Sequence, residues 1–133
     1  MYKDELLALW NGINWEETVG GIYFTCHKLA KEIQFSFTGY KEENLSDIKD
    51  SLMIKLSTEL ETLDNFALQI IKEKLDDKTK KIELTDVMFD ISGCYGAFAL
   101  GYYAGVSPAG ELYLLVKFDN ELNADRDLIY EVF

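Results

Sequence analysis

The sequence predicts an α+β domain in which an antiparallel sheet carries helices on one face, in the order α-β-β-α-α-β-β-β. Three observations predict it. Apolar residues alternate with a period of two through most of 82–118, the mark of half-buried strands. Ahead of that stretch, leucines recur three or four positions apart, the mark of a helix stripe. The 133 residues, 48% of them apolar, suffice for one core and argue against disorder. No linker, internal repeat or low-complexity segment divides the chain, so residues 1–133 are read as a single domain.

From the start, Leu6, Leu7, Leu9 and Trp10 beside Lys3, Asp4 and Glu5 suit a short amphipathic helix, ended by Asn11-Gly12. Gly20-Gly21 marks a corner after "INWEETV". Two strands follow. "IYFTCHKL" sets Ile22, Phe24 and Cys26 against Tyr23, Thr25 and His27; "IQFSFTGY" sets Ile33, Phe35 and Phe37 inward and Gln34, Ser36 and Thr38 outward. The "LAKE" between them is short enough for a hairpin.

The period then changes. Leu45, Ile48, Leu52, Leu56, Leu60 and Leu63 line one helix, capped by Asn44 or Ser46. Asp64-Asn65 breaks or restarts it, and Phe66, Ile70, Ile71 and Leu75 continue as a second helix with Asp64 as its cap. "DDKTKK" is a charged turn into the sheet.

In the sheet region, Ile82 and Leu84 are out of phase with Val87, Phe89 and Ile91, which places a bulge near Thr85-Asp86. Ser92-Gly93 turns the chain. "AFALGYY" puts Phe98, Leu100 and Tyr102 on one side and Ala97, Ala99, Gly101 and Tyr103 on the other. That small-residue side leaves room for close packing, by a helix or by a ligand. "AGVSPAG" is a hairpin loop, and "ELYLLVKF" alternates Leu112, Leu114, Val116 and Phe118 with Glu111, Tyr113, Leu115 and Lys117. "DNELNADRD" is an acidic loop; "LIYEVF" closes as a short strand or helical turn with Ile129 and Val132 partly buried.

Net charge is −11, which repels nucleic acid and anionic membranes, favours a basic partner, and also serves solubility alone. No run reaches the ~18 apolar residues that span a membrane. The N-terminal "MYKDELLALW" lacks a basic region and is not read as a signal peptide. Two cysteines make no disulfide framework, so the expected compartment is the cytoplasm.

No set of residues announces a reaction. Asp119, Glu121, Asn123, Asp125 and Asp127 alternate as in a calcium loop, but Ala124 stands where the sharp turn needs glycine and Tyr130 where a bidentate glutamate belongs. Neither a metal nor another cofactor is therefore expected. Cys26 adjoins His27, the only histidine, but neighbours on a strand face opposite ways; Cys94 could meet it only through folding. The glycines open no helix with phosphate-loop spacing. Asp86 and Asp90 share a strand face without implying a sugar groove. Tyr95, Tyr102, Tyr103 and Tyr113, with Trp10 and Trp15 near the start, make an aromatic population; those turned away from the helices would form a binding patch, or else pack across strands.

The block "GYYAGVSPAGELYLLVKFDNELN", preceded by "ELTDVMFDI" and the leucine-striped helix, resembles the C-terminal half of small acidic bacterial proteins of unknown function, some of them linked to polymorphic-toxin immunity. The resemblance spans 33–125, rests on layout and turn residues, and transfers no functional residue. The absence of a coherent catalytic set, the −11 charge and the aromatic-rich sheet make the leading expectation a non-enzymatic binding protein, one that neutralises a basic toxin or effector. The residues expected to meet such a partner are Asp86, Asp90, Asp119, Glu121, Asp125 and Asp127 for charge and Tyr95, Tyr103 and Tyr113 for anchoring. Two alternatives stand beside it: an enzyme with an unrecognised site near Cys94, and a structural module that forms homo-oligomers through a sheet edge or the tyrosine face.

Overall fold

The computed structural model describes residues 1–75 and 81–133. Its strands are β1 (Ile13–Thr18), β2 (Gly21–Lys28), β3 (Lys31–Thr38), β4 (Glu83–Asp90), β5 (Phe98–Ser107), β6 (Gly110–Phe118) and β7 (Ile129–Val132). They form one seven-stranded sheet whose spatial order follows the chain. Helix α1 (Lys3–Trp10) precedes β1; a 3₁₀ turn (Glu42–Asp47) and α2 (Asp50–Lys74) lie between β3 and β4. The molecule is thus α+β with a largely antiparallel sheet.

The sheet departs from the expected all-antiparallel pattern at one seam: β3 and β4 run parallel. Parallel neighbours need a long crossover, and the 3₁₀ turn with α2 supplies it. On either side of the seam, β1–β3 and β4–β7 are antiparallel meanders.

Several elements differ from the sequence reading. The chain 13–18 forms a strand where no element was assigned. Being at an edge, β1 buries little, and Asn14 at φ +58 breaks its register, so no alternation marks it. The leucine stripe is not one helix from Leu45. Extended Ile48 and Lys49 separate the 3₁₀ turn from α2, and Asn44 accepts the Lys41 N–H to close that turn instead of capping α2. Nor does Asp64-Asn65 break the helix. Ala67 carries the buried stripe from Leu63 to Ile70 and Ile71, and Asp64 accepts a hydrogen bond from the Tyr102 hydroxyl at 2.7 Å, so it has no cap to make. The β5–β6 loop is shorter than "AGVSPAG", leaving Pro108 and Ala109 between strands. Ile91 lies beyond β4 and is exposed, as is Val132. The charged turn expected over 76–81 falls outside the described residues except for Lys81.

Other expectations match. Asn11 in the left-handed region ends α1, with its N–H bonded to Leu7 O. The β4 bulge falls between Leu84 and Asp86, which brings Leu84 and Val87 to one face.

Register shows that the helices share a face. Phe35 lies beside Val87, Val87 opposite Leu100, and Leu100 opposite Val116, so all four point one way. On that face the Trp10 ring of α1 meets Phe35 at 4.5 Å, and Asp64 of α2 meets Tyr102. Beneath the helices an aromatic row crosses the sheet: Phe24–Phe35 at 4.8 Å, Phe37–Phe89 at 4.9 Å and Phe98–Phe118 at 5.1 Å. Each stacked pair adds about 0.5–1.5 kcal/mol to its area burial.

Candidate functional site

The opposite face of the sheet carries no helix, and alternation decides which side chains reach it. One row runs Tyr23, Ser36, Met88, Ala99, Lys117; the next runs Thr25, Gln34, Asp86, Gly101, Leu115; a third joins Glu83, Tyr103, Tyr113 and Glu131. The same phase brings Glu16 out beside Tyr23, Glu32 beside His27, and Asp90 beside Thr38. Glu111 shares the Tyr113 phase. Carboxylates therefore outnumber cations on this face, where the strands contribute only Lys117 and His27 on the basic side. Lys117 is engaged by Asp125 at 3.4 Å.

Near its centre the face is hollow, with a volume of about 430 Å³. Tyr23, Gln34, Asp86, Met88 and Tyr113 line it together with Glu111, Glu131 and Phe133. Tyr95 leaves the β4–β5 loop to reach the same hollow, where its hydroxyl donates to Glu131 Oε1 at 2.7 Å. The Tyr103 and Tyr113 rings meet at 5.4 Å, and Phe133 and Tyr113 make a T-shaped pair at 5.4 Å.

Gly101 lies between Asp86 and Leu115, and its neighbours close over the place a side chain would take. A Cβ there would stand 3.1 Å from Asp86 Cβ, 3.2 Å from Leu115 and 3.3 Å from the Met88 sulfur, so any side chain would push the three apart. The small-residue side of β5 thus lies on the uncovered face, packed under its neighbours' side chains, and α2 packs on the other side against Tyr102.

Asp86 is the most perturbed carboxylate of the hollow. Burial raises its pKa, and the hydrogen bond from the Thr85 hydroxyl to Oδ2 at 2.6 Å only partly opposes that rise. Its Oδ1 accepts no hydrogen bond among the described residues. Tyr113 and Tyr95 are also raised, each first by burial; for Tyr95 the bond to Glu131 adds to the effect, and for Tyr113 the nearby Asp86 charge does.

Of the residues singled out from sequence, the fold gathers Asp86, Tyr95 and Tyr113 around this hollow, with Tyr103 packed against Tyr113. Asp90 sits at the end of the same face, beside the β4–β5 turn. Against the upward push of burial, hydrogen bonds from the Ser92 N–H, the Ser92 hydroxyl and the Cys94 thiol hold its carboxyl low. Asp119, Glu121, Asp125 and Asp127 lie apart, in the loop after β6. There Asp119 Oδ1 accepts the N–H groups of Glu121 and Asn123, both at 2.9 Å, and Asp125 accepts that of Asp127 at 2.9 Å. Two of the four acids are thus occupied in shaping their own loop. Tyr102, counted among the aromatics, is in the core. Tyr23, Glu111, Glu131 and Phe133 were not singled out. The first two were legible from strand phase, the last two only once "LIYEVF" is fixed as a strand.

The thiols do not converge on the histidine. Cys26 is buried, which pushes its pKa to about 11, and His27 is exposed on the other face. Cys94 is exposed and borders a second hollow of about 340 Å³ with Lys117, Asp119 and Asp125. The carboxylate it meets, Asp90, has a lowered pKa and is a weak base. Among the described residues no three metal-ligating side chains group together. No helix among them is long and apolar enough to cross a membrane. Comparison of the chain with family models, curated proteins and solved structures returns no match.

Proposed function

We propose that this chain is a non-enzymatic acidic binding protein that sequesters a basic protein through the open face of its sheet, in the manner of an immunity protein holding a toxin or effector. One observation carries the reading: the uncovered face joins an excess of carboxylates to a tyrosine-lined hollow. Like charges collected on one surface raise the encounter rate with a cationic partner. Tyrosines in a hollow supply the rigid anchors that dominate interface energy.

Retrieval from native lysate at low and moderate salt tests it, with wild type run beside a variant carrying Glu16→Gln, Glu32→Gln and Glu111→Gln. A basic protein retained by wild type at low salt, weakened by salt and lost with the variant, supports the reading. Retention of nothing by either protein, or of the same proteins by both, overturns it.

A further inference from the structure

We propose that the hollow lined by Asp86 receives one arginine side chain of the basic partner, its guanidinium on Asp86 and its plane against the rings of Tyr113 and Tyr23. The inference deepens the reading of the open face as a docking surface and rests on it.

Asp86 is what selects a cation. Its carboxylate lines the hollow, with Thr85 on Oδ2 and no hydrogen bond on Oδ1 among the described residues. Across the strands its neighbours are Gln34 and Gly101, neither of them charged. A carboxylate partly withdrawn from water and lacking a counter-ion is relieved by a donor that brings positive charge with it.

The walls select guanidinium over ammonium. Tyr23 and Tyr113 offer aromatic faces, and Met88 offers a polarisable thioether. A planar, weakly hydrated guanidinium stacks on such rings and keeps two N–H groups for one carboxylate; a compact, strongly hydrated ammonium loses more on entry. At about 430 Å³ the hollow exceeds one side chain, and its remainder leads toward Glu111 and Glu131, so the segment that follows the arginine stays over acids.

The test uses three short glycine–serine peptides bearing alternate arginines, lysines or citrullines. Citrulline keeps the shape of arginine and removes its charge. Each peptide is titrated against the full chain by calorimetry, with the amide shifts of Gly101 and Leu115 followed in parallel. The arginine peptide is expected to bind about tenfold more tightly than the citrulline peptide and several-fold more tightly than the lysine peptide. Asp86→Asn is expected to lose about tenfold on arginine and to erase the preference over citrulline. Cooperative thermal unfolding of that variant confirms its fold. A Glu16→Gln, Glu32→Gln variant is expected to weaken the arginine and lysine peptides alike and to flatten the salt dependence.

Absence of arginine-peptide binding, equal binding of arginine and citrulline, or an Asp86→Asn variant that binds as wild type does overturns the arginine pocket. If in that last case the Glu16, Glu32 variant still loses salt-dependent binding, the pocket falls while the acidic docking face survives. If Asp86→Asn alone abolishes discrimination, both stand.

Discussion

The two faces of this sheet are built from the same strands and differ in almost every physical respect. Under the helices, Phe24, Phe35, Phe37, Phe89, Phe98 and Phe118 meet ring to ring and exclude water. On the other side, alternate residues of those strands are Tyr23, Gln34, Asp86, Met88, Tyr113 and a set of further acids, part-wet and part-buried. One face is optimised for burial. The other keeps a part-buried carboxylate, Asp86, with no cation beside it among the described residues, an arrangement that stability alone would not retain. The contrast makes opposite signs the diagnostic: cuts into the covered face should lose stability, and neutralising the open face should gain it.

The largest effect is expected in the aromatic row. Phe35 is fully buried and touches Trp10, Phe24 and Phe37. Phe35→Ala should cost about 3–5 kcal/mol, from lost transfer energy and the cavity left behind. Denaturant unfolding measures it, and a cost below about 1 kcal/mol would mean that this face is not the core.

Next comes the polar contact that joins α2 to the sheet. Asp64 and the Tyr102 hydroxyl are buried together at 2.7 Å, and burial, then the Asp64 charge, raises the Tyr102 pKa. Tyr102→Phe keeps the ring and removes the donor, leaving Asp64 inside without it. The expected loss is about 1–3 kcal/mol. Unfolding identical to wild type would show that water reaches Asp64 and that the helix is not fastened there.

A smaller change should stabilise without touching either face. The β2–β3 hairpin turns on Leu29 and Ala30, at φ +53 and +60, a conformation that suits Asn-Gly. Ala30 is exposed and makes no packing contribution to lose. Ala30→Gly should relieve left-handed strain and recover a net ~0.5–1 kcal/mol after the added freedom of the unfolded chain. A lower melting temperature would contradict that geometry.

This hairpin also shows what could and could not be read from the sequence. Both strands were legible because their apolar residues keep phase, and so was the β4 bulge, because Leu84 and Val87 break it. The tight turn was not: "LA" lacks the residues that such a turn prefers, and only the phase of the flanking strands enforces it. Edge strand β1 was hidden for the same kind of reason, since a strand paired on one side and exposed on both faces carries no apolar period. Asp64 misled because a carboxylate within a helical stripe reads as a cap unless its partner, 38 residues away in sequence, is known. At the candidate site, the tyrosines and Asp86 followed from alternation. Their convergence with Glu131 and Tyr95 depends on β7 and on a loop folding back, which no local pattern encodes.

The smallest expected effect separates the two faces most sharply. Burial raises the folded-state pKa of Asp86 above its unfolded value, so folding favours the protonated form. The sign follows from linkage: this group's contribution is fully present below the unfolded carboxylate pKa and is lost as pH rises through the folded one. At neutral pH Asp86 therefore destabilises the fold. Asp86→Asn keeps an oxygen for the Thr85 hydroxyl and removes the charge. It should raise stability at neutral pH by roughly a few tenths of a kcal/mol, kept small by solvent screening of a part-exposed group. The gain should shrink as pH falls and vanish once the native carboxyl is protonated. Melting curves of wild type and variant across the acid range give the answer: a loss of stability at neutral pH would mean that Asp86 is held by favourable contacts within the fold and is not kept waiting for a cation.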